Sequence, residues 1–186
     1  MITFMFIITK ETKKMALEAT KLIFENIETC YNEPNNENAR KNMLYASHYA
    51  GIAFTKSYVG YVHAVAHTLG GKYNVPHGLA NAIILPIMLE EYGKSVYKKI
   101  ACMARYTGKF KDDTDENLTK KFISYIFELN KKMNIPMNVD LINESDIDEL
   151  VEFAYKEANP LYPVPELKDK EDLKNIYLKI KNYSKE

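Results

Sequence analysis

Three of the four histidines in this sequence fall close together, at His63, His67 and His77. Neutral imidazoles bind Fe²⁺, Zn²⁺, Ni²⁺ and Cu²⁺, and an imidazole also takes up and releases a proton near neutral pH. His63 and His67 lie four positions apart, so on a helix they share one face and their side chains can converge. His77 follows the pair Gly70-Gly71, and a helix–turn–helix hairpin would fold it back toward the preceding helix. The spacing therefore indicates a metal site or a catalytic site, without selecting the metal.

A polar helix edge is the alternative interpretation of these histidines, and it would prevail for an isolated pair four positions apart. The third histidine stands in the tripeptide Pro76-His77-Gly78 beside a diglycine, so both interpretations stay open. His48 lies in the segment ASHYAGIAF on an alanine-rich helix face, where we expect a packed, hydrogen-bonded side chain. The diglycine is not a dinucleotide-binding turn, because it neither follows a strand nor has the G-x-G-x-x-G spacing.

Helical periodicity dominates the chain, and no stretch alternates with period two over the length of a strand. The sequence therefore predicts an all-α fold, a helical bundle. Its helix ends carry recognisable signals, such as an asparagine N-cap, glycine C-caps and a proline in a first turn. We predict a first helix over about 11–30, a second from Asn35 or Asn36 to Phe54, and a third from Ser57 to Leu69 that ends at Gly70-Gly71. A fourth begins at Pro76, a fifth runs from Gly93 to Tyr106 and ends at Gly108, and a sixth runs from Thr114 to Met133. Capping boxes begin the last two helices, Ser145 with Asp148 for the seventh and Asp169 with Asp172 for the eighth.

Composition limits the possible partners of the chain. Its 186 residues predict a single helical domain over 1–186, with an atypical start at residues 1–10. The 25 Lys and Arg residues balance 25 Asp and Glu residues, which excludes the basic surface of a nucleic-acid-binding protein. A membrane-spanning helix needs about 20 apolar residues, and the opening MITFMFII is far shorter. We therefore expect a buried segment there. Cys30 and Cys102 are widely separated, which predicts reduced thiols in the core of a cytoplasmic protein.

The histidine segment also resembles the signature of a known family. GYVHAVAHTLGGKYNVPHGLANAIILP is similar to the second sequence signature of the iron-containing (group III) alcohol dehydrogenases. ALEATKLIFENIETCYNEPNNENARKNMLYASHYAGIAF resembles the two helices that precede it in that family, and EANPLYPVPELKDKEDLKNIY resembles the family's C-terminal segment. The resemblance covers nearly the whole chain from about Glu11 onward, and the His-x₃-His-x₉-His pattern with its glycines and prolines is highly specific.

The resemblance implies a fold and a ligand set. Family members join an N-terminal α/β nucleotide-binding domain to a C-terminal helical domain of dehydroquinate synthase-like fold, with a metal ion in the cleft between them. One aspartate and three histidines hold the metal, two from an Asp-x-x-x-His helix and two from the motif seen here. By position, His63 and His77 would be the metal ligands in this chain, with Fe²⁺ as the first choice and Zn²⁺ as the alternative. His67 would face the substrate and the nicotinamide of NAD or NADP, outside the metal's ligand set.

The implied reaction is the interconversion of a small alcohol and an aldehyde by hydride transfer. The metal would act as a Lewis acid on the substrate oxygen, and His67 would relay the proton. The hydride chemistry itself belongs to the nicotinamide cofactor.

Part of the family's machinery is missing from this sequence. Neither the glycine-rich phosphate-binding turn with its domain nor the Asp-x-x-x-His pair occurs, as in a split gene or a truncated remnant. Two imidazoles make a poor site, since catalytic metals usually have three or more protein ligands. We therefore expect this chain alone to bind metal weakly and to turn over no alcohol. A separate nucleotide-binding chain would complete it, and an exposed apolar cleft face near Phe54 and Tyr61 would favour such a partner or a homo-oligomer.

Three functions follow as hypotheses from this sequence. The first is the C-terminal metal-site half of an NAD(P)-dependent alcohol dehydrogenase, active only with its nucleotide-binding partner. The second is a non-catalytic remnant or helical interaction module. The third is a stand-alone helical metal sensor or store, which would need His63, His67 and His77 equally, whereas the dehydrogenase needs His67 for rate and the other two for the metal.

Overall fold

The computed structural model describes residues 9–183, with only the backbone of Ser57, and within them the chain is helical without any strand. This confirms the predicted all-α class. The opening MITFMFII, for which a buried segment was predicted, lies outside the described residues. Short 3-10 turns occupy Gly93–Val96 and Glu144–Asp146. The helices are α1 (Lys10–Asn32), α2 (Glu37–Ser57), α3 (Tyr61–Tyr73), α4 (His77–Tyr92), α5 (Tyr97–Thr107), α6 (Asp115–Lys132), α7 (Ile147–Ala158) and α8 (Lys170–Asn182).

Several helix ends lie where the sequence predicts them. The side chain of Asn36 caps α2 by accepting a hydrogen bond from the backbone N–H of Ala39 at 3.1 Å. Gly108 ends α5 in the left-handed conformation, at φ 67°. Asp169 and Asp172 form the predicted capping box of α8, in which each carboxylate accepts from the other residue's backbone N–H. The groups that form these helix ends lie within a few residues of one another, so the sequence alone is enough to predict them.

The predicted end of the third helix is wrong. Helix α3 continues through Gly70 and Gly71 and ends at Tyr73, with Asn74 in the left-handed conformation at φ 54°. The backbone N–H of Asn74 donates to the carbonyl of Gly70 at 3.1 Å. Glycine inside a helix costs only about 1 kcal/mol relative to alanine, and asparagine also adopts the left-handed region. Burial of the preceding turn, where Leu69 is fully buried, favours continuing the helix.

The capping box predicted at Ser145 is also wrong. A 3-10 turn over Glu144–Asp146 leads into α7, and Asp146 takes the N-cap position without a side-chain cap. Its carboxylate is engaged elsewhere, because it accepts from the hydroxyl of Tyr73 at 2.8 Å and pairs with Lys72 at 3.6 Å. The side chain at the N-cap position of α7 therefore makes tertiary contacts and no local cap.

The helices group into two compact units, of which the first comprises the described residues 9–58 and 96–122. In this unit α1 and α2 run antiparallel, since Lys56 pairs with Glu11 at 3.0 Å and Asn42 donates to Asn26 at 2.9 Å. Small side chains let the two helices approach closely. The buried alanines of this unit's helix hairpin are Ala19, Ala39, Ala46, Ala50 and Ala53.

Two predictions about the first unit need correction. His48 is exposed on α2 and is not the packed histidine that was predicted, because it lies on the side of the helix opposite buried Ala46 and Ala50. Cys30 and Cys102 are free thiols, as predicted, but both are partly exposed and do not lie in the core. The alanine-rich stretch is therefore one buried stripe, and neighbouring positions in the sequence face solvent.

The second unit comprises residues 59–95 and the described residues 123–183, and it contains all three clustered histidines. Helix α4 is apolar almost all round and is deeply buried, with Ile84, Ile87 and Leu89 fully enclosed. Tyr177 of α8 is hydrogen-bonded to the hydroxyl of Thr68 on α3 at 2.6 Å, and its own hydroxyl lies 3.3 Å from the carbonyl of Leu150 on α7. These buried hydrogen bonds connect α8 to both α3 and α7.

The division into two units does not test the predicted single domain over residues 1–186, which stays a prediction. Among the helices of residues 9–183, none is both long enough and apolar enough to cross a lipid bilayer.

Candidate functional site

Helix α3 presents His63 and His67 on one face. The helix starts at Tyr61, after Gly60 in extended backbone, and the two histidines follow in its first two turns. Their ring centroids lie 6.1 Å apart at an interplanar angle of 68°. Spacing of four residues along an α-helix places side chains above one another, which explains why the rings are neighbours.

His77 joins these two histidines from the next helix. The left-handed residue Asn74 reverses the chain after α3, and Pro76 then leads into α4, whose first residue is His77. The ring of His77 lies 5.5 Å from that of His63 and 5.1 Å from that of His67, measured between centroids. Two imidazoles that share one metal ion at about 2.1 Å have ring centroids roughly 5 Å apart. By this measure the His77 ring lies near the required separation from each of the other two rings, whereas His63 and His67 are farther apart.

His63 is the buried member of the cluster, only 8% exposed, whereas His67 and His77 are exposed. The pKa of His63 is lowered from 6.5 to about 4, chiefly by burial and to a smaller extent by the neighbouring imidazoles of His77 and His67. The His63 imidazole is therefore neutral at pH 7. A neutral imidazole keeps the nitrogen lone pair that a metal ligand needs.

The Nε2 atom of His77 is hydrogen-bonded to Asn81, one turn further along α4. The side-chain amide of Asn81 donates to Nε2 of His77 at 2.8 Å and to the backbone carbonyl of His77 at 2.9 Å. The Oδ1 atom of Asn81 is buried and has no hydrogen-bond partner among the described residues. A metal ion bound by Nε2 would displace the Asn81 amide. A metal ion bound by Nδ1 would instead leave a hydrogen on Nε2, and after rotation of the amide Oδ1 of Asn81 would accept a hydrogen bond from it.

The donor set suits a divalent transition metal but is incomplete. Within residues 9–183, no group of three or more His, Cys, Asp or Glu side chains is arranged to hold a metal ion. Imidazole nitrogens suit iron and zinc, and the neutral, buried His63 beside His77 fits a pair of such ligands. The roles assigned to His63, His67 and His77 remain predictions.

A carboxylate from α7 contacts the cluster. Glu157, in the last turn of α7, lies with Oε1 2.7 Å from Nδ1 of His67. The same oxygen accepts a hydrogen bond from the hydroxyl of Tyr162 at 2.8 Å. Burial and this hydrogen bond raise the pKa of Tyr162 to about 12, so the phenol stays protonated and keeps donating.

The loop that carries Tyr162 is tied to the start of α3 by Tyr61. The hydroxyl of Tyr61 donates to Oδ1 of Asn159 at 2.9 Å and accepts from the backbone N–H of Lys168, also at 2.9 Å. Tyr61 is fully buried, which corrects the prediction that it lies on an exposed apolar face. The physical reason is that the hydroxyl of Tyr61 forms hydrogen bonds to both ends of this loop, so the ring can be buried without leaving a polar group unpaired.

Glu157, Tyr162 and Asn81 were not predicted as site residues. Asn81 carried a weak signal, since it lies one helical turn after His77. Glu157 also carried a weak signal, because the helix dipole disfavours a carboxylate in the last turn of a helix, which suggests a stabilising contact outside that helix. Neither signal could identify its partner, since Glu157 meets His67 only in the folded chain, 90 positions away.

The fold is helical and carries a cluster of three histidines, and comparison with known proteins identifies the family of the chain. Residues 8–181 match the model of the Fe-containing alcohol dehydrogenase family, C-terminal region. Alcohol dehydrogenase 4 from Saccharomyces cerevisiae is 35% identical over 151 residues, which cover 79% of this chain and 38% of that protein. The 1,3-propanediol dehydrogenase from Klebsiella pneumoniae is 37% identical over 158 residues, covering 80% of this chain and 39% of that protein.

A solved structure gives the same result. The crystal structure of a 1,3-propanediol oxidoreductase superposes with a TM-score of 0.88 at 31% identity, covering 95% of this chain and 47% of that one. The chain belongs to the iron-containing alcohol dehydrogenase family and has the all-α C-terminal fold of that family, as predicted. It spans less than half the length of these relatives.

Proposed function

We propose that this chain supplies the metal-side half of an NAD(P)-dependent alcohol dehydrogenase, with His63 and His77 as ligands of Fe²⁺ or Zn²⁺ and His67 as the proton relay. The observation that carries this proposal is the cluster of three imidazoles, with centroids 5.1–6.1 Å apart, in a chain of this family. The substrate would be a small primary alcohol or its aldehyde. NAD or NADP would be held by residues outside this chain, in a longer protein or a separate one.

Each histidine has properties that suit its proposed role. His63 is neutral at pH 7 because burial lowers its pKa, so its lone pair is available to a cation. His77 lies at the start of α4 with an exposed ring, within reach of the same ion. A divalent metal bound there would polarise the substrate oxygen. His67 is exposed beside both rings, so it could pass a proton between that oxygen and solvent.

The same geometry supports the expectation that the chain is inactive by itself. Two imidazoles leave a metal with too few protein ligands, and no third ligand converges on them within residues 9–183. The residues that would hold NAD or NADP, and with it the hydride acceptor or donor, would be supplied by a nucleotide-binding domain. We therefore propose weak metal binding and no alcohol turnover for the chain alone.

A chimera tests the proposal. The part of the Klebsiella pneumoniae 1,3-propanediol dehydrogenase that precedes the matched region would be fused to this chain from residue 9 onward. We expect the fusion to bind metal tightly and to oxidise 1,3-propanediol or butanol with NAD or NADP, while the chain alone does neither. His63→Ala should remove both the metal and the activity of the fusion. His67→Ala should keep the metal and lower kcat by about 10²- to 10⁴-fold, the usual contribution of a proton-transfer group.

Two results would contradict the proposal. A folded fusion that binds metal and nucleotide but oxidises no alcohol would favour the non-catalytic module. Loss of metal that is equal for His63→Ala, His67→Ala and His77→Ala would favour a site built from all three imidazoles, as in a metal sensor or store.

A further inference from the structure

Glu157 is the one carboxylate that the described residues place on the histidine cluster by a hydrogen bond. Its Oε1 atom lies 2.7 Å from Nδ1 of His67 and 2.8 Å from the hydroxyl of Tyr162. The distance to His67 is short for a nitrogen–oxygen hydrogen bond, as is usual when the acceptor is ionised. Glu157 thus connects the exposed imidazole to α7 and to the loop that follows it.

The position of Glu157 is unfavourable for helix stability. It lies in the last turn of α7, where the negative end of the helix dipole repels a carboxylate. Its two contacts outside the helix account for its presence there. The loop that carries Tyr162 is in turn anchored by the buried hydroxyl of Tyr61 to Asn159 and Lys168, so the carboxylate is held from both sides.

The contact with Glu157 determines which nitrogen of His67 carries the proton. An ionised carboxylate only accepts hydrogen bonds, so Nδ1 of His67 must be the donor. In the neutral imidazole the proton is then on Nδ1, and Nε2 keeps its lone pair. A carboxylate that orients an imidazole in this way fixes both its tautomer and the direction of its free nitrogen.

We propose that Glu157 is a positioning residue that holds His67 as the Nδ1–H tautomer, which leaves Nε2 as the nitrogen without a hydrogen in the neutral ring. The proposal rests on the proposed function, in which His67 relays a proton. Tyr162 supports it by occupying the same oxygen, which keeps the carboxylate from rotating away.

An ordinary surface ion pair is the competing explanation. The side chains of His67 and Glu157 are 46% and 30% exposed, and exposed pairs of this kind often contribute little. A surface pair would leave the tautomer of His67 free to vary, whereas a positioning contact fixes it. The tautomer is therefore the quantity that separates the two explanations, and it can be measured on this chain without metal, nucleotide or substrate.

The test is ¹⁵N NMR of the histidine side chains in the full 186-residue chain, with EDTA present, at about pH 9, where imidazoles are neutral. His67→Gln identifies the resonances of His67. We expect the wild-type His67 signals to show a protonated Nδ1 and a bare Nε2, the reverse of the form that predominates in free neutral histidine. Glu157→Ala should shift the population toward Nε2–H. Glu157→Gln should preserve the wild-type tautomer, because its amide oxygen can still accept from Nδ1–H.

Glu149→Ala is the matched control, since Glu149 lies on the same helix and also pairs with a residue of α3, but with Lys72 and not with a histidine. It should leave the His67 signals unchanged. The proposal is overturned if wild-type His67 is the Nε2–H tautomer, or if Glu157→Ala leaves the tautomer as it is. Neither result depends on whether the chimera oxidises alcohol, so failure of this inference and failure of the proposed function are separately visible.

Discussion

The imidazole rings of His67 and His77 lie 5.1 Å apart between centroids and within 19° of parallel, although they come from different helices. The chain between them makes its reversal at Asn74, whose φ of 54° is in the left-handed region. Asn74 therefore lies at the point where the chain leaves α3 and turns toward α4.

Substitution at Asn74 should show how much the left-handed backbone at this turn contributes to stability. Alanine in the left-handed region costs about 1–2 kcal/mol more than glycine, so Asn74→Ala should lower the free energy of unfolding by about 1 kcal/mol. Asn74→Gly should be neutral or slightly stabilising, and it is the control for loss of the side chain. Urea denaturation followed by circular dichroism measures both variants. Equal stability of the alanine and glycine variants would mean that the backbone strain at this turn is unimportant.

Burial of His63 should make the metal-free chain sensitive to mild acid. The pKa of His63 is lowered from 6.5 to about 4 in the folded protein, so between these pH values the unfolded chain binds a proton that the folded chain does not. The contribution to stability is present above pH 6.5 and is lost as the pH falls toward 4, by at most about 3 kcal/mol. Urea denaturation at several pH values in EDTA should show this loss in the wild-type chain.

Two variants check the assignment of this pH effect. His63→Gln should flatten the pH dependence of the free energy of unfolding between pH 6.5 and 4. His48→Gln, at an exposed position on α2, should leave the wild-type slope unchanged. A slope that survives in His63→Gln would assign the acid sensitivity to other groups.

The buried hydroxyl of Tyr61 should contribute measurably to stability. Tyr61→Phe keeps the ring but removes the partner of the Lys168 backbone N–H and of the Asn159 amide oxygen. A buried donor without an acceptor costs about 1–3 kcal/mol, so the unfolding free energy should fall by that amount. Tyr58→Phe, at a position that is 57% exposed, should change it by less than about 0.5 kcal/mol. Equal effects of the two substitutions would contradict the role given to Tyr61.

Local sequence signals predicted the fold class and several helix ends. Asn36, Gly108 and Asp169 act through hydrogen bonds or backbone conformation within a few residues, so the sequence alone contains what is needed. The wrong predictions have a common cause. At Gly70-Gly71 and at Ser145, packing and tertiary hydrogen bonds outweigh a local preference that is worth only about 1 kcal/mol.

The candidate site divides in the same way. His63, His67 and His77 lie in one hairpin of adjacent helices, so their spacing was enough to predict that they would be neighbours. Glu157 reaches His67 from 90 positions away, and its contact depends on how α7 packs on α3. Such a contact arises only from tertiary structure.

The central claim is that His63 and His77, and not His67, are the metal ligands. It is tested most directly by titrating Zn²⁺ into the ¹⁵N-labelled fusion with the Klebsiella pneumoniae segment and following the side-chain nitrogen resonances of His63, His67 and His77. We predict that one nitrogen of His63 and one of His77 shift to the position of a metal-bound imidazole, while His67 keeps the signals of a free ring. The assignment of His63 and His77 as the ligands is contradicted if the His67 resonances also move to the position of a metal-bound imidazole. It is equally contradicted if the resonances of His63 and His77 stay unchanged in excess Zn²⁺.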